Sequence, residues 1–322
     1  MGMGPTTGGT AAATGPTVGA LGPARVAELL HQGRLSLRTG PLLSRLHTPL
    51  DDVANYIASA YRHHPCVIDA EFADVGVSVR RPSNLRRWLR SQAEFLVEGD
   101  SPFEPLPREQ APALLEWGLN WTIASSCHQW LTIHAACLER QGSAVILPAP
   151  PGSGKSTLCA ALALRGWRLL SDELTLLDPV DGQVWALARP INLKNASIDL
   201  IRAFEPGALW GPTTFDTRKG RVTHLCPPRD SVDRMTLPAN PRWIVFPRYQ
   251  SGAEPLLQAR GKAGTFAHFA TNAFNYSILG ELAFEAVARL LDACECFDFT
   301  YSRLDDAIEV FDWLSGSSTP AD

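Results

Sequence analysis

The run Gly152-Ser153-Gly154-Lys155-Ser156-Thr157 packs two glycines, an ammonium and three hydroxyls into consecutive positions. That set suits the holding of phosphates. Glycine lets backbone N–H groups turn inward with no Cβ in the way, and a helix that starts there adds the positive end of its dipole. Gly152, Ser153 and Gly154 would cradle the phosphates and Lys155 would neutralise the β and γ groups. Ser156 would ligate Mg²⁺, and Thr157 would pack or cap. The full pattern G-x-x-x-x-G-K-[ST] asks for glycine at position 149, where this chain has Ala149. The context agrees with the motif: apolar "AVIL" predicts a strand before it, and "LCAALALRG" predicts a helix ended by Gly166.

A phosphate cradle says that a nucleotide binds, and the neighbouring residues say what becomes of it. Asp172 and Glu173 follow the short strand predicted after the helix. An acidic residue there reaches Mg²⁺, and a second can accept a proton from an attacking hydroxyl. We expect Asp172 on the metal with Ser156; which of the two carboxylates is the base stays open. The alternative is an N-cap and a first-turn acid on a surface loop. His134, in "LTIHAACLE", shares a strand face with Thr132 and Ala136, and alone it reads as a core histidine.

Cations are expected around a transferring phosphoryl group. Arg189 and Lys194 follow "VWALA", and Lys219 and Arg221 lie in a glycine-containing turn. Only Lys155, Lys194, Lys219 and Lys262 among the 29 basic residues are lysine. Where arginine is the default, lysine marks a place for a compact point charge. Asn272 and Asn275 read as helix caps, with contact to substrate as the alternative. Trp88, Trp117, Trp121 and Trp130 read as packing.

The elements that must position these groups follow from pattern. Residues 1–22 are Gly, Thr, Ala and Pro without periodicity and predict a disordered tail. Residues 23–107 predict an α+β region: a helix to Gly33, paired strands to about 48, a helix after Pro49, then further strands. "DSPFEPLPREQAP" reads as the linker. Residues 108–316 predict the nucleotide-binding unit, opened by a long amphipathic helix, and 317–322 a tail. Crossovers mixed with consecutive strands predict an α/β fold with a curved mixed sheet, not a regular doubly wound one.

With 322 residues, 45% hydrophobic, the chain can bury a real core. A net charge of −4 gives no case for nucleic acid. No apolar run is long enough to span a membrane, and the start lacks a secretory pattern. Seven cysteines, an odd number, suit a reducing compartment, so we expect a cytoplasmic protein. The C-x-C of Cys294 and Cys296 has no second pair and reads as two small apolar residues.

The run "IHAACLERQGSAVILPAPPGSGKSTLCAALALRGWRLLSDELTLLD" resembles the HPr kinase/phosphorylase family, which has His-Gly on the strand before its phosphate loop, then GKS, "RG" and an Asp-Asp pair. His134-Ala135, "GSGKST", Arg165-Gly166 and Asp172-Glu173 stand in those places. "ARPINLKN", "DTRKGRVTHLCPP", "FNYSILG" and "YSRLDDAIEVFDWL" look like later blocks of the group called HprK-related kinase A. The resemblance implies the HPr kinase catalytic fold, related to phosphoenolpyruvate carboxykinase. It also implies transfer of the γ-phosphoryl of ATP, with Mg²⁺, to a hydroxyl, typically serine, of a protein, peptide or peptide-linked substrate. It gives His134 a role assisting the acidic pair and suggests a PqqD-like peptide-binding partner. Glu173 replaces the second Asp and Ala135 the Gly after His, and the family's E-x-R-G type segment is not recognisable. The rival expectations are an ATP-binding scaffold that handles peptides, and a simple ATPase.

Overall fold

The computed structural model describes residues 15–83, 91–150 and 152–316. Residues 1–14 and 317–322 of the expected tails, Trp88 and Pro151 lie outside the described residues. Residues 15–22, expected in the tail, are packed. Val18 is buried, its N–H donates to His64 O (2.9 Å), and the Cys66 N–H donates to Pro16 O (2.9 Å). Backbone pairing with a distant strand orders this stretch, and composition carries no signal for that.

The first unit contains α1 (Val18–Leu21), α2 (Pro23–His31), β1 (Leu35–Thr39), β2 (Leu42–His47), α3 (Asp51–Ala60), β3 (Cys66–Ile68), β4 (Val75–Arg80), β5 (Gln92–Val97) and β6 (Leu106–Pro107). Pro23 opens α2, where a missing N–H costs nothing. The strands form one sheet in the order β3-β1-β2-β4-β5-β6, with β2 and β4 parallel. The next helix, α4 (Ala111–Ser126), departs from expectation. It is apolar on most sides, and Ala111, Leu114, Leu115 and Leu119 enter the core of the first unit. Gly118 lets it approach: a Cβ there would lie 2.3 Å from the Phe95 ring. By packing, the first unit therefore includes α4.

The second unit follows as β7 (Leu131–Arg140), β8 (Ser143–Pro148), α5 (Lys155–Leu164), β9 (Arg168–Ser171), β10 (Leu174–Leu177), β11 (Val184–Trp185), β12 (Ile191–Lys194) and α6 (Ala196–Phe204). Then come β13 (Thr214–Thr217), β14 (Gly220–Leu225), α7 (Arg229–Asp233), β15 (Asn240–Tyr249), β16 (Leu256–Ala259), α8 (Lys262–Asn272), α9 (Tyr276–Leu279), α10 (Glu281–Ala293), β17 (Glu295–Tyr301) and α11 (Leu304–Gly316). The main sheet runs β11-β10-β7-β8-β15-β17-β16, and β9 also pairs with β7. β8, β15 and β17 are mutually parallel, whereas the other ladders are antiparallel, so the sheet is mixed as expected. A small sheet, β12-β14-β13, lies beside it.

The main sheet is covered on both faces. Ala136 and Leu138 of β7 enter the core beneath α5 and α11, while Ala135 and Cys137 enter the one beneath α8 and α10. That is the period-2 alternation of a strand buried on both sides. Cys294 and Cys296 lie in the second of these cores. Among the described residues no helix is long and apolar enough to cross a membrane.

Candidate active site

The glycine turn sits between β8 and α5. Gly152 (φ 86°) and Gly154 (φ 92°) both adopt the left-handed conformation that side chains resist. Gly154 has a second reason to be glycine: a Cβ there would lie 2.6 Å from the Tyr301 hydroxyl. The turn is tied from behind. The Tyr301 hydroxyl donates to Gly154 O (3.1 Å), and the Tyr249 N–H donates to Ser153 O (2.8 Å).

Lys155 is the first residue of α5, only 8% exposed, and its Nζ has no hydrogen-bond partner in the chain. Ser153 Oγ is likewise buried and unpaired. A buried ammonium left unpaired is costly, so such a group is in place for an anion.

The acidic pair lies where β7 changes partners. Cys137 is opposite Ser171, the last residue of β9, and His134 is opposite Leu174, the first of β10. Asp172 and Glu173 occupy the gap between the two ladders, outside any strand. Asp172 is 6% exposed; its Oδ2 accepts the Asn192 N–H (3.0 Å) and its Oδ1 has no partner. Burial pushes its carboxyl up to about 6; Lys155 pulls it down, Glu173 pushes it up, and the Asn192 N–H and the nearby Ser156 hydroxyl pull it down. Glu173 accepts from the Asn120 side-chain amide on α4.

His134 is half-buried, its ring 5.8 Å from that of Phe274. Burial lowers its pKa, Lys155, Lys194 and Lys219 lower it further, and Glu173 opposes them. His134 is thus within electrostatic reach of Lys155, Glu173, Lys194 and Lys219. Lys219 is held down mainly by burial and then by Lys194, with its Nζ 5.8 Å from the Trp117 ring. Thr157, on the first turn of α5, is half-buried.

The remaining two expected cations are already paired within the chain. Arg221 pairs with Asp199 (2.5 Å) at the exposed start of α6. Arg189 is buried and well engaged: Nη2 donates to Glu116 Oε2 (2.6 Å) and Glu116 O (3.2 Å), Nη1 to Asn120 Oδ1 (2.6 Å) and Nε to the Tyr61 hydroxyl (3.4 Å). Four of the five N–H donors of that fork are thus taken within the chain, and Arg189 braces the surroundings of Glu173. Asn275 does stand at the N-cap of α9, but neither its side chain nor that of Asn272 caps a helix N-terminus. Asn275 Oδ1 accepts the Thr132 N–H (3.0 Å) and its Nδ2 donates to Trp130 O (2.8 Å), fixing the start of β7, while Asn272 Nδ2 donates to His268 O (2.8 Å).

Sequence reasoning missed Asn192 and His224. They are register partners on β12 and β14, both buried, with the Asn192 amide atoms and His224 Nε2 unpaired. With Asp172, Glu173, Glu116, Asn120 and Arg189 they line a cavity of about 20 Å³, room for a single water-sized occupant. The signal was present in "INLK", a polar residue between two apolar ones on a buried strand.

No family model matches the chain, and no curated protein matches it. Among solved structures, that of the Hpr(Ser) kinase/phosphatase from Coxiella burnetii is similar at 13% identity and a TM-score of 0.26, over 58% of this chain and 99% of that one.

Proposed function

We propose that the protein is an ATP-dependent kinase of the HPr-kinase-like type, passing the γ-phosphoryl group to a hydroxyl of a protein, peptide or peptide-linked substrate. The observation that carries this reading is the pairing of a buried, unpartnered Lys155 ammonium with a buried Asp172 carboxylate oxygen that also lacks a partner. An anion and a cation arriving together satisfy both. The motif resemblance supplies the reaction class, and serine is the hydroxyl it favours.

In this reading Gly152, Ser153 and Gly154 hold the phosphates, Lys155 neutralises them, and Lys194 and Lys219 add charge at the open side. Ser156 and Asp172 would hold Mg²⁺, which when bound draws charge from the phosphate oxygens. The other carboxylate takes the proton of the acceptor hydroxyl as its oxygen bonds to phosphorus and the bond to the β-phosphate oxygen breaks. His134, kept neutral by burial and the three lysines, assists the acidic pair without competing for that charge. Free, mostly buried thiols suit a cytoplasmic setting, and a small PqqD-like peptide-binding protein is the partner we propose.

Incubation with ATP, Mg²⁺ and a candidate partner, read by intact mass, tests the proposal. One added phosphate on the partner supports it. ADP and free phosphate without a modified partner would replace it with an ATPase, and tight ATP binding without turnover with a scaffold.

A further inference from the structure

The geometry points to Asn120 as a positioning residue for Glu173, braced by Arg189, so that the first unit orients a carboxylate of the second; this rests on the kinase reading above. Glu173 projects from a gap between two ladders, where no strand pairing fixes it. Its side chain has three rotatable bonds, and Lys219 is within electrostatic reach. Left alone, the carboxylate could turn to that ammonium and leave the acceptor hydroxyl without its base. The Asn120 amide holds it instead.

The orientation of that amide is forced. Arg189 can only donate, so the Asn120 oxygen must face Arg189 and the nitrogen must face Glu173. Arg189 is itself immobile. Glu116 binds it through Oε2 and accepts the hydroxyls of Tyr56 (2.9 Å) and Tyr61 (2.7 Å) through Oε1. Burial alone would raise the Glu116 carboxyl, but Arg189, His224 and Tyr61 outweigh it and keep it ionised. The brace runs from α3 through α4 and Arg189 to Glu173, and each of its members is hydrogen-bonded to the next. A satisfied buried network of this kind rigidifies what it touches.

Asn120→Asp isolates the contact. It keeps the size of the side chain and the oxygen facing Arg189, and puts a like charge where Glu173 now finds a donor. Asn120 is only half-buried, and the new carboxylate gains Arg189, so the fold is expected to hold. The expected result is kcat for phosphoryl transfer lower by roughly tenfold to a hundredfold, with the calorimetric Kd for ATP–Mg²⁺ and the melting temperature unchanged. Unchanged kcat would overturn the inference, as would a joint fall of kcat, affinity and melting temperature. If the wild type binds ATP but transfers nothing, the kinase reading fails, and crystal structures decide the inference: Glu173 displaced in Asn120→Asp upholds it, Glu173 in place overturns it. If Asn120→Asp does not fold, Asn120→Ser is measured in the same way with the same outcomes.

Discussion

Two buried charge clusters flank the same long strand, β7, and they are built on opposite principles. At one end Glu139 of β7 faces Arg168 of β9. Glu139 pairs with Arg168 and Arg234 and accepts the Gly142 N–H (2.6 Å), while Arg168 Nη1 donates to Arg234 O (2.8 Å) and Leu237 O (2.7 Å). At the other end Lys155 and Asp172 are equally buried, yet Lys155 Nζ and Asp172 Oδ1 have no partner. Burial and charge alone therefore do not distinguish structure from function. The unmet hydrogen-bonding capacity of two opposite charges does, because a buried ionic group without a partner is costly and is completed by an arriving ligand.

The largest expected effects test the two ends against each other. Lys155→Met should lower phosphoryl transfer by roughly a thousandfold while the melting temperature stays level or rises; intact-mass kinetics and calorimetry check both. Arg168→Met should do the reverse, costing about 3–5 kcal/mol in denaturant unfolding because Glu139 is left buried without its main partner. A stability loss in the first variant equal to that in the second would erase the distinction.

Asp172→Asn sharpens it through pH. The Asp172 carboxyl is raised from 3.8 to about 6 by burial, so between those values the folded chain holds a proton that the unfolded chain has released. Stability is therefore full below about 4 and falls as pH rises through 6. At pH 8 the nucleotide-free variant should exceed wild type by roughly 3 kcal/mol, and the two curves should converge near pH 4; parallel curves would refute the assignment. Saturating ATP–Mg²⁺, near a hundred times Kd, should raise wild-type stability by about 2.7 kcal/mol, and thermal shift in Asp172→Asn should be smaller. Least of all, Arg221→Ala should change stability by at most about 1 kcal/mol, since its pair with Asp199 is solvated.

Much of the second unit was legible in the chain because local signals agree there. Strand, glycine turn and helix follow one another from Ser143 to Leu164 with no competing pattern, and Asp172-Glu173 interrupts an apolar run just where two ladders part. The lysine sparsity singled out Lys194 and Lys219, which lie within electrostatic reach of His134. What stayed hidden depends on long-range pairing. Arg189 looks like a loop cation until Glu116, 73 residues earlier, is brought beside it. Likewise α4 reads as an amphipathic helix, because its burial on most sides is created by a glycine opposite Phe95 and by a sheet that closes before it. Such facts exist only after topology is set.

The bonds behind the glycine turn carry one more consequence. Tyr249 and Tyr301 end two parallel, directly hydrogen-bonded strands, and both hold the loop by its carbonyls. The turn is thus anchored to the sheet itself, and spreading it would mean parting β15 from β17. These bonds brace the turn from the sheet side and leave its opposite rim unbraced by either tyrosine.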